Sequence, residues 1–446
     1  MDNIIIFLMK ILSFLTGLLG GGTSLPGEIA LKLRPNILPK VADGYRIVLV
    51  TGTNGKTTTC SQIVAAIKAT GSPVINNSSG ANMKPGIVSC LIKNYRFKKS
   101  DEMKFAVLEV DEAYLKHVTE DIKPEIIAVT NIFRDQLDRY GEVDKTLKLI
   151  ADGCAKTPES TFVLNGDESL LFGFMEGSKR YYYGFRVTPD INTESEMNAE
   201  GKFCRDCKKP YEYNFVTFNH LGDYSCPRCG KKRPQLALGV NKTPVLTADS
   251  SKVSFDGLEI EIPLPGTYNI YNALCAATTA GALGVCQDDI KAGIESCGSK
   301  FGRQETVNID GREVRIILVK NPAGCNEAIN SVLPDEDAVN LAFLLNDNYA
   351  DGTDVSWIYD AHFERFTKMN YQNVLVGGTR CYDMAIRLKY AGLDTNRFHV
   401  SEDYDGILYS IRTNITGRVY LFTTYTAMTS FRKYLHKKKY IKKLWK

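Results

Sequence analysis

The sequence predicts an α/β protein in which two sheet-containing domains follow one another and a small cysteine-rich ribbon is inserted into the first. Strand-like apolar runs alternate with helical patterns from residue 46 to about 200, and a second alternation covers the last third of the chain. A glycine-rich turn opens the first alternation, and two Cys-x-x-Cys pairs interrupt it. We expect an N-terminal segment at 1–45, a central domain at 46–300 with the ribbon at 200–233, and a C-terminal domain at 301–446.

The chain starts with an apolar run, Ile4 to Leu19, that contains one charged residue, Lys10. The run is shorter than the about 20 residues needed to cross a bilayer. No basic segment precedes it, so a helix that lies on a membrane surface or docks on another surface is favoured over a secretion signal. A helix buried within the protein is the remaining interpretation.

A glycine-rich turn between the first strand and a helical pattern has the composition of a phosphate-binding loop. We call it the phosphate loop, and it consists of Gly52, Thr53, Asn54, Gly55, Lys56, Thr57 and Thr58. Glycines let backbone N–H groups approach a polyphosphate, Lys56 adds a charge, and Thr57 or Thr58 offers a hydroxyl to Mg²⁺. The Gly-x-x-Gly-Lys-Thr spacing is shorter than that of a standard P-loop, yet the strand and helix around it predict an ATP site.

Carboxylates follow one of the predicted strands at the edge where open α/β sheets hold ligands. The strands predicted in this domain are 47–50, 105–110, 126–130 and 162–164. Glu109, Asp111 and Glu112 come at the end of the second of them. Carboxylates beside a phosphate loop are natural Mg²⁺ ligands, and Glu109 is the best placed because it leaves the strand directly. A solvated acidic loop is the alternative for any one of them.

Four cysteines form two pairs, Cys204 with Cys207 and Cys226 with Cys229, and 18 residues separate the pairs. Two such turns can close a tetrahedral thiolate site around Zn²⁺. Four sulfurs leave no coordination position for a substrate, so we expect a structural zinc ribbon. Two redox dithiols are the alternative. Eight further cysteines are scattered singly, as is typical of a reducing, cytoplasmic compartment.

Asn269 and Asn272 stand three residues apart at the start of an alanine-rich helical pattern, so their side chains share one face of its first turn. They suit either helix capping or hydrogen bonding to a nucleotide base, and the spacing does not decide between the two.

The C-terminal domain has predicted strands at 314–319, 341–345, 374–376 and 419–422. Its most polar segment is Asn346 to Asp360, which we call the acidic loop and which includes Asp351, Asp354 and Trp357. An acidic loop at a strand end is either a functional surface or a solvated turn.

The net charge of +4 is unevenly distributed along the chain. Arg432 and the seven lysines from Lys433 to Lys446 contribute +8, so the preceding residues sum to −4. A basic tail of this kind suits the anionic surface of a membrane or a nucleic acid. The sequence shows no other basic stretch, which argues against nucleic acid as a partner.

Five segments in a fixed order make the chain resemble the Mur ligase superfamily, ATP-dependent enzymes that form amide bonds and that include folylpolyglutamate synthases. The segments are 52–58, 130–138, 165–168, 269–272 and 302–305. The resemblance implies a Mur ligase-like central ATPase domain and a Rossmann-like C-terminal domain. It also implies that Lys56 and Glu109 serve catalysis and that Thr57 and Glu109 hold Mg²⁺. Asn269, ahead of Asn272, and Arg303 are implied to contact the nucleotide.

Several departures narrow the resemblance. The residues before the phosphate loop are too few for the UDP-binding domain of ligases that act on nucleotide precursors. The segment from Asp135 to Asp138 lacks a metal-binding histidine, which leaves a second Mg²⁺ site open. Lys148 lies near the position of a modified lysine in some members, without a secure match. A C-terminal motif of the family is reduced to residues 319–322.

The short start, the ribbon and the acidic loop make the chain similar to one branch, the MurT-type synthetase subunits. Such subunits imply ATP-dependent phosphorylation of the D-glutamate α-carboxyl in the stem peptide of lipid II, followed by displacement of the phosphate by ammonia. A GatD-type glutaminase partner in a heterodimer supplies the ammonia. The resemblance places an acid for the partner's histidine in the acidic loop, with Asp354 ahead of Asp351 and Asp360.

A lipid-linked substrate implies a cytoplasmic protein at the inner face of the plasma membrane, held there by the N-terminal apolar run and the basic tail. Two rival functions remain. One is a stand-alone amino-acid ligase of the Mur or folylpolyglutamate type, and the other is a nucleic-acid-binding ATPase, suggested by the ribbon and the tail.

Overall fold

The computed structural model describes residues 2–19, 24–77, 81–97, 103–133, 143–188, 201–298 and 303–441. Its strands, numbered in chain order, are β1 (Tyr45–Thr51), β2 (Val74–Asn76), β3 (Lys104–Glu109), β4 (Ile126–Val129), β5 (Thr161–Asn165), β6 (Arg180–Phe185), β7 (Glu212–Phe218), β8 (Leu221–Ser225), β9 (Leu238–Val240), β10 (Val245–Leu246), β11 (Ser251–Phe255), β12 (Leu258–Ile262), β13 (Arg303–Ile309), β14 (Arg312–Leu318), β15 (Val339–Leu344), β16 (Tyr371–Gly377), β17 (Phe398–Val400) and β18 (Val419–Thr423).

Helices cover both sheets. They are α1 (Asp2–Leu19), α2 (Leu25–Leu33), α3 (Leu38–Ala42), α4 (Lys56–Ala69), α5 (Lys84–Asn94), α6 (Leu115–Thr119), α7 (Val143–Cys154), α8 (Thr267–Ala282), α9 (Gln287–Glu295), α10 (Pro322–Val332), α11 (Cys381–Tyr390), α12 (Tyr404–Thr413) and α13 (Tyr425–Lys437). None of these helices combines the length and the apolar character that crossing a bilayer requires.

The first sheet has ten strands, of which seven are parallel in the order β2-β3-β1-β4-β5-β6-β9. The antiparallel strands β10, β11 and β12 extend it beyond β9. The central strands are apolar on both faces because helices cover them on both sides, and Val48, Leu49 and Val107 are fully buried. The parallel order brings the carboxyl ends of β1, β3, β4 and β5 to one edge, where the phosphate loop lies.

Residues 201–233, which we call the insertion, form a two-stranded hairpin of β7 and β8 between β6 and β9. The hairpin carries one cysteine pair before β7 and the other after β8. It has a small core of its own, built around Tyr211 and Tyr224. The insertion contacts the first sheet's domain at both ends: His220 in its turn bonds to Glu168, and Arg233, after the second cysteine pair, donates to the Phe185 carbonyl of β6.

The second sheet has six strands in the order β13-β14-β18-β15-β16-β17, and all but β13 are parallel. Arg315 of β14 links the two sheets, since it bonds to the Ala248 carbonyl and the Asp249 carboxylate. The acidic loop follows β15 at the carboxyl edge of this sheet.

The predicted α/β class is confirmed, and each of the eight predicted strands corresponds to a strand of the structure, with ends that differ by a few residues. Further strands were not predicted. Among them are β6, β11 and β12, and also β2 and β9, whose three residues each are too few to give a periodic signal. Helix α1 packs on the first sheet's domain through Ile5, Ile6 and Met9, so part of the N-terminal run is buried.

Candidate nucleotide site and acidic loop

The phosphate loop connects β1 to α4 and needs both of its glycines. Gly52 and Gly55 have φ angles of 118° and 85°, in the region that glycine adopts without steric cost. A Cβ atom on Gly55 would lie 2.0 Å from Oδ1 of Asn272, and one on Gly52 would lie 2.4 Å from Oγ1 of Thr130. The loop is therefore held between α8 and the segment after β4, and it leads directly into the N-terminus of α4.

Lys56 is the first residue of α4, and its side chain turns back beneath the loop. Its Nζ lies 2.5 Å from the Gly52 carbonyl oxygen and 2.9 Å from Oε1 of Glu112. Burial opposes its charge, but Glu112 and Glu109 outweigh this and raise the pKa of Lys56. Burial raises the pKa of Glu112 in turn, against the attraction of Lys56. The lysine thus stays a cation at the base of the loop.

Glu109 ends β3 next to the phosphate loop. The Thr57 hydroxyl donates to its Oε2 at 2.5 Å, and the Asn82 amide donates to its Oε1 at 3.3 Å. The backbone of Glu109 is fixed by two hydrogen bonds with the side chain of Asn77, both of 2.8 Å. A hydroxyl and a carboxylate side by side at a phosphate loop are the hard oxygen ligands that fit Mg²⁺.

A second segment, residues 130–133, clasps the phosphate loop, and we call it the clasp. The Thr53 N–H donates to the Asn131 carbonyl at 3.0 Å, and the Asn54 N–H donates to the Asn131 side chain at 2.9 Å. The Thr130 hydroxyl donates to the Asn54 carbonyl at 2.7 Å. The hydroxyl of Thr53 also bonds to the backbone of Phe133. The loop is therefore held by two strand ends, β1 and β4.

Asn269 and Asn272 are both buried in the first turns of α8. The Asn269 amide donates to the Pro265 carbonyl at 2.8 Å, and the Asn272 amide donates to Oδ1 of Asn269 at 3.2 Å. Their hydrogen bonds tie the helix start together, and the close approach to Gly55 puts Asn272 against the phosphate loop. Base contact by either residue stays a prediction.

Four other predictions from the sequence have different outcomes. The segment from Asp135 to Asp138 lies outside the described residues, and so does the side chain of Arg303. Lys148 is exposed on α7. Asn321, from the reduced C-terminal motif, caps α10 and lies 3.5 Å from the Asn54 side chain, so it reaches the phosphate loop from the second sheet.

Two residues of this site, Asn77 and Asn82, were not predicted from the sequence, and Glu112 was predicted only as a candidate Mg²⁺ ligand. Asn77 follows β2, and because β2 is too short to be predicted, the sequence does not show that Asn77 stands at a strand end. Glu112 was grouped with the acids after β3, but only the fold shows that it pairs with Lys56. A signal was available: a lysine buried in a glycine loop needs a counter-ion, and a nearby carboxylate could have been sought for it.

The four paired cysteines come together at one end of the insertion, with all four Sγ atoms within 4.8 Å of one another. Two separations run between the pairs, 3.6 Å for Cys204 with Cys229 and 3.3 Å for Cys207 with Cys226. A tetrahedron of Zn–S bonds of about 2.3 Å has S–S edges of about 3.8 Å. The arrangement fits one four-sulfur site better than two separate dithiols.

The two cysteine turns have the same backbone hydrogen bonds. The Lys208 N–H donates to the Cys204 carbonyl at 2.9 Å, and the Gly230 N–H donates to the Cys226 carbonyl at 3.0 Å. Lys208 and Gly230 also share a left-handed φ, 60° and 69°. The two turns therefore share one backbone conformation around their cysteine pairs.

The acidic loop separates its three candidate acids by burial. Asp351 is buried and accepts a 2.7 Å bond from the Thr426 N–H, so it anchors the loop to the start of α13. Asp354 and Asp360 are exposed. Asp354 accepts a 2.8 Å bond from the Ser356 N–H, which fixes its carboxylate at the start of a short 3₁₀ turn.

Two family models match the chain. The Mur ligase middle domain covers residues 50–280, and the MurT ligase C-terminal domain covers residues 318–428. The chain is 38% identical over 96% of both chains to the MurT subunit of lipid II isoglutaminyl synthase (glutamine-hydrolyzing) from Streptococcus pneumoniae. It is 36% identical to the MurT subunit from Staphylococcus aureus strain COL, over 84% of each chain.

Solved structures show the same fold at lower identity. A pseudomurein peptide ligase type C from Methanothermus fervidus matches 90% of this chain and 81% of its own, with a TM-score of 0.68 and 19% identity. MurF ligase from Thermotoga maritima in complex with ADP matches 92% of this chain and 85% of its own, with a TM-score of 0.60 and 14% identity.

Proposed function

The chain belongs to the MurT family of Mur ligases, as the sequence predicted, and from this premise we propose that it is the ATP-dependent synthetase subunit of a lipid II isoglutaminyl synthase. It activates the α-carboxyl of D-glutamate in the lipid II stem peptide, and ammonia converts it to D-isoglutamine for peptidoglycan synthesis. The observation that carries the proposal is the joint placement of Lys56, Thr57 and Glu109 at one glycine loop.

The chemistry follows from the charges at this loop. A carboxylate near neutral pH is a poor acceptor for ammonia, and phosphorylation by ATP gives it a leaving group. Lys56 faces the loop as a buried cation and stabilises charge on the phosphoryl group as it is transferred. Thr57 and Glu109 would hold Mg²⁺, which neutralises phosphate charge when bound. Asn269, Asn272 and Arg303 would contact the rest of the nucleotide.

The ammonia is proposed to come from a separate GatD-type glutaminase. Two of the chain's histidines have partners within it, since His220 is buried against Glu168 and His399 bonds to Asn373. Delivery by a docked partner excludes water, which would hydrolyse an acyl phosphate. Asp354, exposed and held at the start of a turn, is the acid proposed to orient the partner's histidine.

A structural Zn²⁺ in the insertion is part of the proposal. The four sulfurs fit a closed tetrahedral site, with Cys204, Cys207, Cys226 and Cys229 as ligands. Elemental analysis of the purified chain should give one zinc per chain, and replacing Cys226 by Ser should lower that content. A chain that folds fully without metal would contradict this part.

Association with the inner face of the membrane rests on α1. Its outer face carries six exposed apolar side chains at helical spacing: Ile4, Phe7, Leu8, Ile11, Phe14 and Leu15. The basic tail is proposed to contribute through its exposed lysines, Lys433, Lys437, Lys438 and Lys439, while Arg432 and Leu435 are buried. Replacing Phe14 by Ser should weaken sedimentation with anionic vesicles, and unchanged binding would contradict the role of α1.

The test of the function uses the lone chain with lipid II, ATP and Mg²⁺. Ammonium ions should support formation of amidated lipid II, whereas glutamine should support it only when a glutaminase subunit is added. Addition of a free amino acid to the stem peptide, with no amidation, would instead indicate a stand-alone ligase. An ATPase rate that depends on DNA or RNA and not on lipid II would refute the proposal.

A further inference from the structure

The turn of the insertion's hairpin lies against the carboxyl edge of the first sheet. His220, in the tight turn between β7 and β8, is fully buried there, and its Nε2 lies 2.7 Å from Oε1 of Glu168. Glu168 is itself fully buried, just after β5. A buried carboxylate is costly unless it is paired, so this contact is a strong attachment of the insertion to the central domain.

Glu168 also contacts the clasp. Its second carboxylate oxygen, Oε2, accepts a 3.2 Å hydrogen bond from the Ile132 N–H. The ring of His220 also packs edge-on against Phe133, with ring centroids 5.1 Å apart. The insertion is therefore linked to two consecutive residues of the clasp. His220 contacts Phe133 directly, and it is connected to Ile132 through Glu168.

The clasp in turn holds the phosphate loop. Phe133 and Thr53 exchange two hydrogen bonds of 3.1 and 3.2 Å, and Asn131 accepts the N–H groups of Thr53 and Asn54. A continuous chain of contacts thus runs from His220 through Glu168 and the clasp to the backbone of the loop that is proposed to bind ATP.

A second attachment lies on the other side of the loop. The hydroxyl of Thr217, in β7, is 2.6 Å from the hydroxyl of Tyr271, and Tyr271 donates to the buried carboxylate of Asp167 at 2.6 Å. Arg233, at the end of the insertion, donates to the same carboxylate at 2.8 Å. Tyr271 belongs to α8, the helix that places Asn272 against Gly55.

We propose that the insertion is a positioning element for the nucleotide site: His220, through Glu168 and Phe133, holds the clasp in the conformation that orders the phosphate loop. The proposal rests on the proposed function only in taking this loop as the ATP site. It gives the cysteine-rich insertion a role in nucleotide affinity that its cysteines do not reveal. His220 is in this sense a positioning residue, because it acts on the nucleotide through other residues.

The test compares His220→Ala with His220→Gln and with a control on the same hairpin, Asn214→Ala, whose exposed side chain bonds only to Asp223 among the contacts described. His220→Ala should weaken ATP binding by about ten-fold or more, measured by calorimetry, since a buried hydrogen bond to a charged group is lost. Gln places an amide nitrogen near the position of Nε2, so His220→Gln should recover much of the affinity. Asn214→Ala should bind ATP as the wild type does.

Hydrogen exchange distinguishes a local loosening of the phosphate loop and the clasp from a general loss of stability. In His220→Ala the amides of residues 51–55 and 130–133 should exchange faster, while the second sheet should exchange at the wild-type rate. If His220→Ala does not fold, Phe133→Leu serves instead, because it removes the ring contact and keeps the His220 to Glu168 pair. It should also weaken ATP binding and speed exchange in these amides, by smaller amounts. Wild-type affinity and exchange in the folded variants would overturn the inference. A wild-type chain that binds no ATP would instead refute the proposed function.

Discussion

The carboxyl edges of the two sheets are built in opposite ways. At the first edge the functional side chains are buried and paired with one another, Lys56 with Glu112 and Thr57 with Glu109. At the second edge the acidic loop buries Asp351 and exposes Asp354, with Tyr349 79% exposed beside it. The edge proposed to bind ATP is built from side chains paired within this chain, whereas the edge proposed to meet the partner exposes its acid. Burial is therefore the difference between the two proposed sites.

The largest effect should come from the buried edge. Lys56→Ala removes the cation proposed to face the phosphoryl group, and an arginine finger, a cation that acts on the same transferring group, contributes rate factors of about 10³ to 10⁵. Amidation of lipid II should fall by this amount with either ammonium or glutamine as nitrogen source, measured as product formed over time. Binding of the glutaminase subunit should be unchanged, because Lys56 is buried and is not part of the acidic loop that is proposed to meet the partner.

Lys68→Ala is the matched control, since Lys68 is exposed near the end of the same helix. It should be active at the wild-type rate. Activity retained in Lys56→Ala would refute the assignment of the phosphate loop.

The exposed edge should respond to only one nitrogen source. Asp354→Asn keeps the shape of the loop but removes the charge proposed to orient the partner's histidine, and the comparable change in a catalytic triad costs up to about 10⁴ in rate. Glutamine-dependent amidation should fall by roughly 10² to 10⁴, while ammonium-dependent amidation should be unchanged.

Asp360→Asn is the comparison variant because Asp360 is the other exposed acid of the loop. It should keep glutamine-dependent activity. The reverse pattern would move the assignment to Asp360, and loss of ammonium-dependent activity in Asp354→Asn would contradict the division between the two edges.

The smallest effect concerns Glu327, a buried carboxylate of the second domain. Glu112 at the first edge pairs with Lys56, whereas Glu327 has no lysine among the contacts described. Glu327 in α10 is buried, and burial raises its pKa to about 7, against a bond from Asn330 and the more distant charge of Arg365. Because the folded protein keeps a proton that the unfolded chain loses, stability should fall as the pH rises from about 4.5 to about 7.

Glu327→Gln should remove this pH dependence. Relative to wild type, the free energy of unfolding of the variant should gain up to about 3 kcal/mol between roughly pH 5 and pH 8, measured by urea denaturation. Parallel pH profiles of the two proteins would show that Glu327 is compensated in the folded state.

The sequence predicted the parts of both edges that depend on continuous segments. The phosphate loop, Glu109 after its strand and the acidic loop each lie in one run of residues, so local pattern was enough to find them. The pairing of Lys56 with Glu112 and the support from Asn77 depend on which strands become neighbours, and no local pattern contains that information. His220 and Glu168 lie 52 residues apart and share no motif, so only the fold brings them together.

The central claim is that the first edge transfers a phosphoryl group from ATP to the substrate carboxylate. Lipid II labelled with ¹⁸O in the D-glutamate α-carboxyl tests this directly when the amidation is run with ammonium and the released phosphate is analysed by mass spectrometry. The account predicts that each phosphate released with product carries one oxygen from the carboxylate. Unlabelled phosphate, or label in AMP, would contradict it.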